Sequence, residues 1–376
     1  MMAKKVLIVY STAGAGHKKA AFAIMKAFEQ MRPDAQIDII DALDYTSAFF
    51  KWTYPRIYIF MVSRIPLFWG ISYYILDNKF FYSLVSWIRH LTNRFHARAL
   101  ERFMSEGRYD VIISTHFLPT DVISMAGKKK IPSRLINVVT DYRMHTFWYA
   151  RATDFYIVAH ELTKRELINK YRVPEEKIKI FGIPIDPIFS KVKDRDKIRA
   201  DLGIEKDRFT VLIGSGGFGV GPIVELVESF KGISIPVQLL VVCGKNEPLC
   251  MAVGNLQSEV GVPIAAYGFV ENMDELMGAS DIIITKTGAL MSSEALAKGL
   301  PIIGIAPIPG QETRNFRILF KIGVALKGDN VREIPMTVKN LFNNKESIAD
   351  IKRKIEAAKK PDAAFAIARF SMEVSA

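Results

Sequence analysis

The sequence predicts an α/β protein built from two Rossmann-like halves joined by one linker. Three observations carry that expectation. Short apolar, β-branched runs alternate with helically spaced segments, the pattern of an open parallel sheet covered by helices. These runs fall into two sets, one before residue 182 and one after residue 208. Between the sets, Pro184 and Pro187 precede the charged stretch Lys191–Arg199 (KVKDRDKIR), which reads as the linker. A length of 376 residues suits two domains.

Taken in order, Lys4–Tyr10 (KKVLIVY) reads as a buried parallel strand that ends in the Gly-rich turn Ser11–His17 (STAGAGH). Lys18–Met31 carries Ala20, Ile24, Ala27, Phe28 and Met31 at helical spacing, and Gln36–Ile40 is the next strand. Further strands of the first set are Val111–Ser114, Leu135–Thr140, Phe155–Val158 and Ile178–Phe181. The second set comprises Phe209–Gly214, Val237–Val242, Ile264–Tyr267, Ile282–Thr285 and Pro301–Ile305. In such sheets ligands bind at the strand C-terminal ends.

Residues 45–95 interrupt the regularity as a helical insertion. Fourteen of the chain's 41 aromatic residues lie between Phe49 and Trp87. Nine Lys or Arg across Lys51–Arg108 face only Asp77, Glu101 and Glu106. One reading is a helical element packed onto its own domain. The sharper one is an interfacial element, with rings such as Trp52, Trp69 and Trp87 at headgroup depth and basic residues towards anionic lipid.

Composition narrows the partners. Apolar residues at 49% and charged residues at 24% describe a folded globular chain. No apolar stretch approaches the ~18–20 residues of a membrane span. Lys4 and Lys5 precede only five apolar residues, short of a signal-peptide core. Two cysteines, Cys243 and Cys250, fit a reducing cytosol and cannot build a zinc site. The net charge of +12 asks for an anionic partner. No nucleic-acid-binding motif is recognisable, which leaves an anionic membrane surface or a phosphorylated ligand.

Candidate chemistry sits at the turns. Gly14-x-Gly16-His17 follows a strand and opens a helix, a place that favours an anion. It is neither a dinucleotide fingerprint, which would need Gly where Lys19 stands, nor a Walker loop, which would need Gly-Lys-Ser/Thr. His17 at a helix start opposes the dipole, so its pKa should fall and its neutral ring could accept a proton. Thr140-Asp141 ends a strand and precedes His145 and Trp148; such an acid either faces a ligand or caps a helix. Gly214 to Gly221 places five glycines in eight residues, which suits close approach to a pyrophosphate. Carboxylates and amides in two neighbouring strand-to-helix loops of Tyr267–Arg317 can hydrogen-bond vicinal hydroxyls of sugars or riboses.

Those last residues carry a specific resemblance. GFVENMDELMGASDIIITKTG (268–288) and SSEALAKGLPIIGIAPIPGQETRN (292–315) resemble the donor-binding signature of the monogalactosyldiacylglycerol synthase and processive diacylglycerol glucosyltransferase family. STAGAGHKKAAFAI, VVTDYRMHTFW, FGIPIDPIF and VCGKNE match further family blocks in order. The resemblance implies a GT-B fold, two Rossmann-like domains facing a central cleft. It also implies inverting hexose transfer from UDP-glucose or UDP-galactose to the 3-hydroxyl of diacylglycerol, without metal or cofactor, at the cytoplasmic side of the cell membrane.

Domains are expected at 1–187 (acceptor and membrane association), 188–355 (UDP-sugar) and 356–376, a C-terminal helix packing back on the first. Carried over by residue, Glu294 would hold the uridine ribose, and Gln311, Glu312 and Asn315 the hexose hydroxyls. Gly216, Gly217 and Gly219 would approach the pyrophosphate or acceptor, and Phe269 and Val270 would flank uracil. His17, beside Gly14 and Gly16, would sit next to the acceptor hydroxyl, with Asp141 and His145 lining the acceptor side. Either His17 or Asp141 is the base. The phosphate loop Lys286-Thr287-Gly288-Ala289-Leu290-Met291 departs from the family in lacking its second small residue and threonine, leaving Ser292 or Ser293 as donors. Arg314 stands where many relatives have a small residue. The runner-up activity is N-acetylglucosamine transfer to a polyprenyl-pyrophosphate-linked acceptor.

Overall fold

Val6, Leu7, Ile8 and Val9 of the first strand are fully buried and alternate between two cores. Val6 and Ile8 pack with Ile24, Phe28 and Ile367, while Leu7 and Val9 pack with Leu100, Met104 and Ile112 on the opposite face. A strand apolar on both faces belongs inside a parallel sheet covered on both sides. The structure is a computed structural model that describes residues 4–12, 14–214, 216–217, 219–305 and 307–374, without the side chains of 63 and 79–85. Ala13, Ser215, Phe218 and Ala306, which belong to the turns singled out above, lie outside the described residues.

The chain divides into two units. Unit 1 comprises Met1–Pro187, Ile308–Arg314 and Lys360–Ala376; unit 2 comprises Ile188–Pro307 and Asn315–Lys359. One continuous domain over 188–355 was expected, and the structure corrects it: Ile308–Arg314 is part of unit 1. The reason is steric and electrostatic, since Pro309 seats on Gly70 and Arg314 pairs with Asp77.

Unit 1 begins with β1 (Lys5–Tyr10), α1 (Ala15–Met31) and β2 (Gln36–Asp41). The insertion follows as α2 (Ala48–Arg64), α3 (Pro66–Leu76) and α4 (Lys79–His96). Ser47 caps α2 and its hydroxyl also meets His96 Nδ1 at 2.6 Å, closing the insertion at its base. Pro66 opens α3, where its missing N–H costs nothing. Then come β3 (Val111–Ser114), β4 (Arg134–Val138), β5 (Phe155–Ile157) and β6 (Ile178–Lys179). The sheet is parallel with order β2-β1-β3-β4-β5-β6. Its strand order reverses between β1 and β3, the topological switch point where ligands bind. Helix α1 starts at Ala15 rather than Lys18, because extended Gly14 alone turns the chain. His17 therefore lies in the first helical turn.

Unit 2 is a second parallel sheet: β7 (Phe209–Gly214), β8 (Val237–Val242), β9 (Ile264–Tyr267), β10 (Ile282–Thr285), β11 (Ile302–Gly304) and β12 (Ala325–Lys327). Their order is β12-β11-β10-β7-β8-β9, with the switch point between β7 and β10. Thr285 Oγ1 donates to Gly214 O there at 2.9 Å. Strand β12 escaped the sequence reading because three residues carry no periodicity. Half of the supposed linker is also ordered: Asp194 caps a helix over Arg195–Asp201, and Arg199 donates to Ala279 O at 2.9 Å and pairs with Asp281 at 3.1 Å.

The C-terminal helix Ala363–Val374 lays Ile367 into the same core as Val6 and Phe28, and Phe370 meets Phe155 and Phe181 edge-on. Ile367→Ala should therefore lower the stability of unit 1 by ~2–5 kcal/mol, as large-to-small core changes do. Urea unfolding measures this, and a loss below ~1 kcal/mol would put the helix outside the core.

Candidate functional site

Three strand ends of unit 1 converge at the β1/β3 switch point. His17 follows β1, His116 follows β3, and Thr140 with Asp141 follows β4. The half-buried His17 ring stands edge-on to His116, with centroids 4.7 Å apart at 86°. Its Nδ1 lies 2.8 Å from Thr115 O and 2.9 Å from Thr140 Oγ1. A carbonyl only accepts, so Nδ1 carries the ring proton and Nε2 keeps a lone pair. Burial pushes the His17 pKa below its ordinary value, while the Asp141 charge and the Thr115 bond act the other way. Burial, more than the helix dipole invoked from sequence, keeps the ring neutral. Gly14 lies close enough that a Cβ there would sit 3.4 Å from His17 Cδ2, whereas a Cβ at Gly16 would meet nothing within 4 Å.

Asp141 is 3% exposed. Its Oδ1 accepts from Gln311 Nε2 at 2.6 Å and its Oδ2 from Trp148 Nε1 at 3.4 Å. His145 lines the same cavity as His17 and Asp141 and also holds the loop in place. Its Nδ1 accepts from Phe147 N at 3.2 Å and its Nε2 donates to Tyr73 O at 3.0 Å, so both ring nitrogens are engaged. Burial pushes its pKa down to about 4. His145 fastens α3 to the loop after β4.

A cavity of about 340 Å³ opens on this cluster. Tyr54, Tyr58, Trp69 and Tyr73 of the insertion line it together with His17 and Asp141. Phe50, Tyr54, Arg89 and Phe117 also border a second cavity of about 220 Å³. Arg89 Nη2 donates to Asp121 Oδ1 at 2.6 Å, and burial raises the Asp121 carboxyl to about 6 against the pull of Arg89. Apolar walls beside a neutral imidazole suit a hydroxyl carried on an acyl-chain ligand.

In unit 2 the β7/β10 switch point gathers the glycine-rich loop and Lys286–Gly288. A Cβ at Gly219 (φ +62°) would strike Cys243 O at 2.2 Å, and Gly219 N donates to Gly216 O at 3.2 Å. Gly219 thus serves the loop's own packing, while a Cβ at Gly216 or Gly217 would meet nothing within 4 Å. Gly288 starts the helix Ala289–Ala297 without a side-chain cap. Ser292 is fully buried. Ser293 Oγ donates back to Ala289 O at 2.9 Å. Glu294 and Asn315 are both buried, Val270 is half-buried, and Phe269 is exposed beneath Lys245 Nζ at 5.8 Å. Glu312 Oε2 accepts from Ile308 N at 2.7 Å, closing the loop that carries Gln311. Among the described residues, no three His, Cys, Asp or Glu side chains are grouped to hold a metal ion.

Comparison with known proteins meets this geometry. The model of monogalactosyldiacylglycerol (MGDG) synthase matches residues 17–185, and that of the glycosyltransferase family 28 C-terminal domain matches 209–366. A probable chloroplastic monogalactosyldiacylglycerol synthase of Glycine max is 32% identical over 97% of this chain and 70% of its own length. The chain belongs to the monogalactosyldiacylglycerol synthase family. A processive diacylglycerol β-glucosyltransferase of Bacillus cereus (strain G9842) is 30% identical over 96% of the chain and 91% of its own length. The crystal structure of Acinetobacter baumannii MurG superposes with a TM-score of 0.62 at 15% identity, covering 98% of this chain and 99% of that one. The fold is GT-B.

Several residues of this cluster escaped sequence reasoning. His116 caps the helix that follows β3, against the ring of His17, and the run VIISTH held that signal. Arg89 and Tyr54 sit inside an insertion whose aromatics hid them. Asp77 is the largest omission. It meets Arg314 Nη1 at 2.9 Å and Lys170 Nζ at 3.1 Å, and it accepts from Thr146 N at 2.9 Å and Thr146 Oγ1 at 2.7 Å. Burial alone would raise its pKa, but the Thr146 bonds and the neighbouring positive charges hold it at about 2.

A depressed carboxylate stabilises above its unfolded pKa of ~3.9, and that contribution is lost as pH falls through the folded value. Asp77→Asn should therefore cost ~2 kcal/mol at neutral pH, with the gap from the parent closing between pH ~4 and ~2. Denaturant unfolding across that range checks it; a gap independent of pH would refute the ion-pair account.

Proposed function

We propose that this chain transfers a hexose from UDP-glucose or UDP-galactose to the 3-hydroxyl of 1,2-diacylglycerol, with inversion, at a membrane surface. The observation that carries the reading is the apolar cavity lined by a neutral histidine whose Nδ1 carries the ring proton. The acceptor's chains lie along the aromatic wall and its hydroxyl approaches His17 Nε2. As the hydroxyl oxygen bonds to the anomeric carbon, its proton passes to Nε2. The bond to UDP breaks, and UDP leaves with the electron pair.

Asp141 stabilises the imidazolium that forms. Its own oxygens already accept from Gln311 and Trp148, which makes it the weaker candidate for the base. Gln311 and Asn315 recognise the hexose, Glu294 the ribose, Phe269 and Val270 the base, and Gly216, Gly217, Lys286 and Gly288 the pyrophosphate. The polyprenyl-pyrophosphate alternative gains nothing from relatives named for diacylglycerol, and the MurG likeness speaks for the fold alone.

Surface binding is the second part of the proposal. Trp52 and Trp87 are 62% and 66% exposed, and Phe49, Phe60, Leu67 and Phe68 lie open beside them on the same insertion. Arg56 stacks on Trp52 at 4.3 Å. Apolar exposure on this scale marks an interaction face, and its basic aromatic character suits anionic lipid. Among the described residues no single helix is long and apolar enough to cross a membrane; α2 and α3 together have the composition of a span but are bent by 109°. We place the enzyme peripherally, on the cytoplasmic side of the cell membrane.

Two outcomes follow. His17→Ala should lower kcat by ~10²–10⁴-fold while UDP still binds. Because the base must be neutral, parental kcat should rise with pH through a value below ~6.5, and that acidic limb should vanish in the variant. A variant of full turnover with the limb intact passes the role to Asp141. Replacing Trp52 and Trp87 together by serine should weaken sedimentation with phosphatidylglycerol vesicles more than it lowers the Tm. Trp69 is left out, since it packs on Tyr58 and Tyr73 inside the cavity wall. Vesicle binding indifferent to lipid charge and to both changes would end the membrane assignment.

A further inference from the structure

Helix α3 has two dissimilar faces. Gly70, Tyr73 and Asp77, spaced three and four apart, form one buried seam. Leu67, Phe68, Ile71 and Ile75 form the other face and are exposed. The buried seam touches residues 309–314 at three successive points. A Cβ on Gly70 would lie 2.6 Å from Pro309 Cβ, so only glycine lets the loop come this near. A Cβ on Gly310, whose φ is +97°, would lie 2.9 Å from the Tyr73 ring. The Arg314 guanidinium sits 4.9 Å from the Tyr73 centroid and 4.7 Å from that of Tyr74, and ends on Asp77 at 2.9 Å. Arg314 is 4% exposed. The loop after β4 is tied to the same helix through His145 to Tyr73 O and Thr146 to Asp77. The hydrogen bond from Gln311 to Asp141 therefore joins two loops that each depend on α3.

We propose that Gly70, Tyr73, Asp77 and Arg314 are positioning residues for donor-sugar recognition: they hold the Gln311-bearing loop on α3, so that contact of the opposite face of α3 with a lipid surface tightens the grip on the sugar. The inference rests on the functional reading above, in which Gln311 meets the hexose. Gln311 opens a helix over Gln311–Lys321, and Arg314 N donates to Gly310 O at 3.1 Å, so the turn is locally well formed. What the seam adds is the place of that turn on unit 1, and the seam is the back of a helix whose front is apolar and open. A lipid surface that orders α3 orders Gln311 with it. The nucleotide, by contrast, is recognised in unit 2 and should not sense the seam.

The test separates sugar from nucleotide. Initial rates with UDP-glucose and UDP-galactose are measured on dioctanoylglycerol without bilayers and on dioleoylglycerol in phosphatidylglycerol vesicles, with UDP affinity from calorimetry. Gly70→Ala inserts a methyl against Pro309 while favouring the helix, so folding should survive. Arg314→Met removes the ion pair, and Arg314→Lys restores charge without the planar stack. We expect the KM for UDP-sugar to rise roughly tenfold in Gly70→Ala and Arg314→Met, less in Arg314→Lys, with the Kd for UDP within about twofold of the parent. Vesicles should lower the parental KM for UDP-sugar but not that of Gly70→Ala. An active parent whose KM is unmoved by Gly70→Ala and Arg314→Met overturns this inference alone, as does a Kd for UDP that rises in parallel. A parent that transfers neither sugar to diacylglycerol overturns the functional reading instead.

Discussion

One buried carboxylate, Asp77, ties together three stretches of chain that are remote in sequence. It terminates α3, accepts from Thr146 in the loop after β4, and pairs with Arg314 beyond β11. Burying a charge is costly unless partners replace its water. Here the replacements come from a backbone amide, a hydroxyl and two cations, so the carboxylate holds its charge and each partner is placed by it. The cavity wall supplied by α3 and the Gln311 loop both inherit their position from this cluster. The ring of His145, the Arg89–Asp121 pair and the packing of Phe50 and Tyr54 on the core tie the insertion down elsewhere.

The chemistry of His17 depends on a second arrangement, the reversal of strand order between β1 and β3. That reversal places the Thr115 carbonyl and the Thr140 hydroxyl on one nitrogen of a ring that lines the cavity. Tautomer and charge state thus come from topology as much as from residue type. His116 next to it is also held neutral by burial, its Nδ1 accepting from Leu118 N at 3.1 Å. Two neutral imidazoles thus stand beside an acid whose oxygens accept from Gln311 and Trp148.

The insertion shows how aromatic residues divide their work. Tyr54, Tyr58, Trp69 and Tyr73 turn inward and shape an apolar cavity, while Trp52, Trp87 and Phe95 turn outward. In water the outward set would be a liability for solubility. Both sets are carried by one structural element, the insertion.

Sequence by itself determined the α/β class, the two sets of strands and the loops that bear chemistry. Buried parallel strands must be apolar on both faces, and their Gly-rich turns leave a clear local mark, as at Val6–Val9 and Gly214–Gly221. Family resemblance extended this to the GT-B fold. Local pattern could not say that Ser292 is buried, that Trp69 faces inward, or that Arg199 anchors a helix inside the apparent linker. Nor could it assign residues 308–314 to unit 1, because Gly70 against Pro309 and Asp77 against Arg314 are pairings across more than two hundred residues of chain. Such pairings exist only once the chain is folded. Burial, tautomer and ion-pair partners are properties of a neighbourhood, and only the tertiary structure decides who the neighbours are.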